Sequence, residues 1–182
     1  MTEDEIYRQN IEKLMLAGSS ELISNTLPKH AATLLACFFK NAKSEMKILC
    51  TNLGREVFDE PEVLNSMAAA SRRGIPIQVL VRGEPEAGSE FLRCFQEEAK
   101  LHPKVVIKTN AELQSDLIKR LPSNFAVMDQ KAFRLEPDCK NVKAVACMNL
   151  PSAAVKLSGM FDRLYTSIRH NEAPGGALGC AV

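Results

Sequence analysis

The chain has 182 residues, with 46% hydrophobic and 25% charged side chains, enough for one domain with a sizeable core. A net charge of +1 provides no global field toward nucleic acid or an anionic membrane, and the absence of Trp with 5% aromatic content argues against a base-stacking platform. The six cysteines form no C-x-x-C pair and no Cys/His cluster with metal-site spacing, so neither a metal nor a cofactor is expected, and the thiols read as reduced, in a cytoplasmic setting. The acidic start Met1-Thr2-Glu3-Asp4-Glu5 lacks a signal-peptide pattern, and no apolar run reaches membrane-spanning length.

In chain order, Ile6, Ile11, Leu14 and Met15 set a helical spacing over 3–17, which Gly18 breaks. A short apolar stretch, Leu22-Ile23, follows. Thr26 and Pro28 open a second helix to about residue 43, and 46–51 reads as a strand. A helix over 62–73 ends at Gly74 and leads to a strand over 75–81, making a βαβ unit that predicts parallel pairing. A helix over 89–101, a strand over 105–109, a short helix over 111–120 and a hairpin over 124–136 come next. A strand over 142–148 and a long helix over 152–169 complete the series, ahead of a Gly-rich tail. This alternation predicts an α/β layered fold, with a mixed, mostly parallel sheet flanked by helices. The expected organisation is an N-terminal helical extension over 1–27, one domain over 28–170, and a tail over 171–182. Cys180 stands third from the end, which fails the prenylation pattern.

Four segments in this order carry a family resemblance: Ile48-Leu49-Cys50-Thr51-Asn52; the helix and Arg-Gly turn running from Ala68 through Arg73-Gly74 into Ile75–Val81; the hairpin around Asp129; and the helix through Phe161-Asp162-Arg163-Leu164-Tyr165. Over 28–168 the chain resembles a single half-module of the phospholipase D-like superfamily. The resemblance implies an H-x-K-x-x-x-x-D signature, in which the histidine attacks phosphorus and the lysine neutralises phosphate oxygens. Counting back from Asp129 places Pro122 at the histidine position and Asn124 at the lysine position, and the family's Gly-Ser falls on Glu136-Pro137. Neither replacement supplies a nucleophile or a cation. The resemblance therefore implies a pseudoenzyme: a binding or regulatory subunit for a partner protein or a phosphate-bearing ligand, and, as in single-module relatives, a homodimer. The helix over 3–17 is a candidate contributor to that contact.

Candidate residues for a remnant pocket are Asn52, Arg82, Asn124, Asp129, Arg134, Glu136 and Asn149. Asn52 and Arg82 follow strands, where open α/β sheets bind ligands, although a solvated loop is the favoured reading for both. Arg134 and Glu136 share one face of the second hairpin strand; they are either wet, a buried ion pair, or pocket lining. Asp129 suits a turn cap, and Asn149 suits either a pocket or a helix cap. Arg72-Arg73 suits phosphate binding or the helix dipole. Cys50 and Cys147 are nucleophiles only if their pKa is lowered. An alternative active site is His102-Pro103-Lys104, an H-x-K that ends in Thr109 rather than Asp and precedes an ordinary strand. It would make the chain a phosphodiesterase or nuclease. A second alternative is a nucleic-acid-binding module using Lys100, Lys104 and Lys108, which the near-zero net charge disfavours.

Overall fold

The computed structural model describes residues 2–109, 123–138 and 143–170. The helix expected over 111–120, the tail over 171–182, Pro122, Cys139, Val142 and Cys180 lie outside them. In chain order the elements are α1 (Glu3–Ala17), β1 (Ile23–Asn25), α2 (Pro28–Asn41), β2 (Met46–Cys50), α3 (Arg55–Phe58), α4 (Pro61–Arg72), β3 (Ile77–Val81), α5 (Glu90–Leu101), β4 (Val105–Lys108), β5 (Asn124–Met128), β6 (Ala132–Asp138), β7 (Lys143–Cys147) and α6 (Pro151–His170). The strands form one sheet in the order β1-β7-β6-β5-β2-β3-β4.

The sheet is mixed, but only the β2–β3 and β3–β4 joints are parallel. The other four joints are antiparallel, so the expectation of a mostly parallel sheet is corrected. Crossover helices α4 and α5 make the parallel part. The tight β5–β6 hairpin and the short path to β7 impose the antiparallel part, because such connections are too short for a crossover. The Leu22-Ile23 stretch becomes part of an edge strand: β1 pairs with β7, Ile23 opposite Ala146. Segment 1–27 thus shares the sheet of the domain.

Two cores flank the sheet. On one face, α1 to α5 bury Ile11, Leu34, Phe38, Phe39, Met67, Phe91 and Phe95 against Met46, Ile48, Val79 and Met128. On the other, α6 buries Ala154, Phe161 and Tyr165 against Leu49, Leu80, Phe125, Val127 and Phe133. Strand alternation divides β2 and β5 between these two cores. Gly18 closes α1 in the left-handed conformation and Pro28 begins α2, as expected; in addition, Thr2 and Glu5 form a capping box on α1, and Pro61 begins α4. Among the described residues, no helix is long and apolar enough to cross a membrane.

Candidate functional site

A cavity of about 300 Å³ lies at the carboxyl end of β2, on the α2 side of the sheet. Leu35, Ile48, Leu53, Val57, Phe58 and Ala126 supply apolar walls, and Thr51, Asn52, Asn124, Arg134 and Glu136 supply polar groups. Asn124, Ala126 and Met128 share the face that carries Ile48, while Arg134 and Glu136 stand on the same face of β6, with Glu136 opposite Asn124.

These polar side chains form a continuous chain across the sheet. Asn25 Nδ2 donates to the Tyr7 hydroxyl (3.4 Å), and Arg134 Nη2 donates to Asn25 Oδ1 (3.3 Å). Arg134 Nη1 lies 3.6 Å from Glu136 Oε2, which accepts from Asn124 Nδ2 (3.2 Å). Asn124 Oδ1 accepts from Thr51 Oγ1 (3.0 Å) and from Arg82 Nη2, and Arg82 Nη2 also donates to Thr51 Oγ1 (3.0 Å). Arg134 and Glu136 side chains are each 11% exposed. Burial pushes the Arg134 guanidinium below its ordinary pKa, and the Glu136 carboxylate pushes back. The buried Nε of Arg134 has no hydrogen-bond partner among the described residues.

The loop after β2 shapes the cavity wall. Leu53 is fully buried with φ 56°, an uncommon conformation for a side chain of its size. It is held there by neighbouring backbone bonds: Gly83 N–H to the Thr51 carbonyl (2.7 Å) and Glu86 N–H to the Asn52 carbonyl (2.7 Å). A Cβ on Gly83 would sit 2.9 Å from the Thr51 oxygen, so the two strand ends approach this closely only with glycine.

Of the candidates, Asn52, Asn124, Arg134 and Glu136 line the cavity, and Arg82 stands behind Asn124. Asp129 and Asn149 lie elsewhere. Asp129 sits at the far end of β5, and its carboxylate accepts from the N–H groups of Lys43, Ser44 and Glu45 and from the Ser44 hydroxyl, at 2.8 to 3.1 Å. Burial raises its pKa, but these donors outweigh burial and hold it below the ordinary carboxylate value. It therefore anchors the α2–β2 loop rather than its own turn. Asn149 Nδ2 donates to the Gly18 carbonyl, capping α1 (3.1 Å).

His102 and Lys104 precede β4, at the opposite end of the parallel strands from the cavity, since Lys104 pairs its carbonyl with Ile77 at the start of β3. His102 Nε2 lies 3.5 Å from Glu98 Oε2, and Lys104 is exposed. Lys108 is buried in the sheet, so only Lys100 and Lys104 of the basic trio face outward. Arg73 donates to the Phe39 and Ala42 carbonyls and Arg72 to Glu98, which ties both to neighbouring helices. Cys50 and Cys147 are buried beside backbone carbonyls. Among the described residues, no His/Cys/Asp/Glu group has metal-site geometry. Thr51, Tyr7 and Asn25 belong to the polar chain without having been singled out from sequence; Thr51 alone carried a signal, as the polar residue that ends a strand.

No protein-family model and no curated protein matches the sequence. Solved structures do resemble it. Nuc from Salmonella typhimurium, a phospholipase D family member, is similar at a TM-score of 0.58 and 14% identity, over 80% of this chain and 94% of that one. NucT from Helicobacter pylori is similar at 0.55 and 12% identity, over 81% and 98%. TrmBL2, an archaeal chromatin protein with a novel mode of DNA binding, is similar at 0.58 and 8% identity over 91% of this chain, which spans 61% of that protein. The fold is phospholipase D-like.

Proposed function

We propose that this phospholipase D-like chain is a non-catalytic binding protein, whose former active-site cavity holds a ligand instead of cleaving one. The observation that carries this reading is the role of Asn124. It takes the place of the lysine by its distance from Asp129, and its amide is engaged by Thr51, Arg82 and Glu136 at the polar end of the cavity. A carboxamide cannot neutralise a transferring phosphoryl group, and the buried Glu136 beside it opposes an anionic transition state. Pro122, at the histidine place in the sequence, has no nucleophilic side chain.

A homodimer completes the reading. It rests on the resemblance to single-module relatives, and α1 supports it by presenting Ile6 and Leu16, which are 53% and 92% exposed. A regulatory partner protein would then bind this assembly. The experiment is turnover of bis(p-nitrophenyl) phosphate and of single-stranded DNA by the full chain and by His102→Ala. No turnover by either protein is expected. Hydrolysis that disappears in His102→Ala would overturn the reading in favour of a phosphodiesterase. Sedimentation equilibrium tests the dimer, for which a single species of monomer mass is the adverse result.

A further inference from the structure

We infer that the cavity selects an uncharged amphiphile: a small molecule with an apolar body and a carbonyl, amide or hydroxyl head, and not a phosphate ester. The inference rests on the binding reading above and adds the ligand class. Three observations carry it. First, the cavity of about 300 Å³, at the lower end of small-molecule sites, has one wall of Leu35, Ile48, Leu53, Val57, Phe58 and Ala126 that suits an apolar body. Second, the charges that line it cancel: the Arg134 guanidinium stands 3.6 Å from the Glu136 carboxylate, and both are buried. An incoming phosphate would have to shed its water and then meet a buried carboxylate together with the cation, so its attraction to Arg134 is offset. Arg82 does not line the cavity; Asn124 and Thr51, which accept from it, stand there in its place. Third, the polar groups that line the cavity beside this pair are neutral: Thr51, Asn52 and Asn124 bring hydroxyl and amide groups, which suit a carbonyl, amide or hydroxyl head.

The test uses hexanamide and hexyl phosphate, which share an apolar chain and differ in head charge. Binding to the full-length protein is followed by two-dimensional NMR, which locates each probe through the amides of Asn52, Asn124, Ala126 and Arg134. Hexanamide is expected to shift these amides, with hexyl phosphate at least about tenfold weaker. In Glu136→Gln, which removes the opposing carboxylate, hexyl phosphate should gain about tenfold or more. The paired variant R134M/E136M keeps the volume and removes both charges. It should weaken hexanamide about tenfold while leaving hexyl phosphate weak, and it serves if Glu136→Gln does not fold. Native protein that binds hexyl phosphate as tightly as hexanamide overturns the inference but leaves a ligand-binding cavity standing. No shift with either probe also overturns it, and the turnover assay then decides separately whether the chain is an enzyme.

Discussion

Arg134 and Glu136 lie two residues apart on β6 with Nη1 and Oε2 3.6 Å apart, both facing the cavity and both only 11% exposed. The pair is further held by Asn25 on one side and Asn124 on the other, so four side chains from β1, β5 and β6 depend on one another. A cavity lined by such a pair suits a ligand that is itself neutral.

Breaking this pair should be costly, and removing it whole should not. Arg134→Ala leaves Glu136 buried without its cation, and Glu136→Ala does the reverse. Each is expected to cost about 3–5 kcal/mol in urea unfolding, the usual penalty for an orphaned buried charge. R134M/E136M should cost less than either single change, because the desolvation penalty of both ions disappears with them. A double variant as unstable as the two single losses added together would contradict this account.

Part of this site was legible before the fold was known, and the rest was not, for physical reasons. The period-two alternation in 132–136 places Arg134 and Glu136 on one face, and the turn at Asp129 sets Glu136 opposite Asn124 and Arg134 opposite Ala126. Asn52 and Arg82 were marked by strand ends. Tyr7 and Asn25 carried no such signal: β1 has only three residues and finds β7 some 120 residues away, a pairing that local pattern does not encode. The positive φ of Leu53 is equally silent, since leucine is not a turn residue and its conformation is imposed by backbone bonds from Gly83 and Glu86. The one-turn helix α3 is too short for periodicity to register.

Asp129 should make stability pH-dependent on the acid side. Its folded pKa is depressed, so its contribution is fully present above the unfolded carboxylate value of about 3.9 and is lost as pH falls through the lower folded value. Asn tolerates the left-handed backbone at this position (φ 53°) and keeps an acceptor, so Asp129→Asn isolates the charge. It is expected to cost about 1.5–3 kcal/mol at pH 7, the scale for hydrogen bonds to a charged acceptor, and to narrow its difference from the native protein below pH 4. Urea melts at pH 7 and pH 3 check this; a gap that is constant between the two would refute it.

Gly83→Ala should damage the cavity wall from behind. The added Cβ meets the Thr51 carbonyl oxygen at 2.9 Å, and backbone cannot rotate away as a side-chain tip does. Either the 2.7 Å bond between Gly83 N–H and that oxygen lengthens or the β2 end shifts. A loss of about 1–3 kcal/mol is expected, the range for overpacking. Hydrogen exchange should show the amides of Gly83 and Glu86 losing protection while those of β6 keep theirs. Unchanged exchange at Gly83 would mean that the strand ends are less tightly joined than the geometry requires.

On the opposite face, Lys47 tests whether buried charge is a scaffold or a liability. Its side chain is 5% exposed, and its ammonium meets Glu45 (3.0 Å), Asp162 (2.8 Å) and the Ser158 hydroxyl (2.9 Å) beneath α6. Asp162 is 55% exposed and Glu45 20%, so water can solvate the carboxylates once the lysine is gone, whereas the ammonium has no such escape. Lys47→Met is therefore expected to cost little, under about 1.5 kcal/mol, since methionine has a similar length and keeps the apolar stem between Val127, its strand partner, and α6. The pair Glu45→Ala with Asp162→Ala strands the cation and should cost at least twice as much. Thermal and urea unfolding of the three proteins give the ranking. If Lys47→Met proves the more damaging, the ammonium itself holds α6 to the sheet, and packing around Phe161 is the lesser contribution.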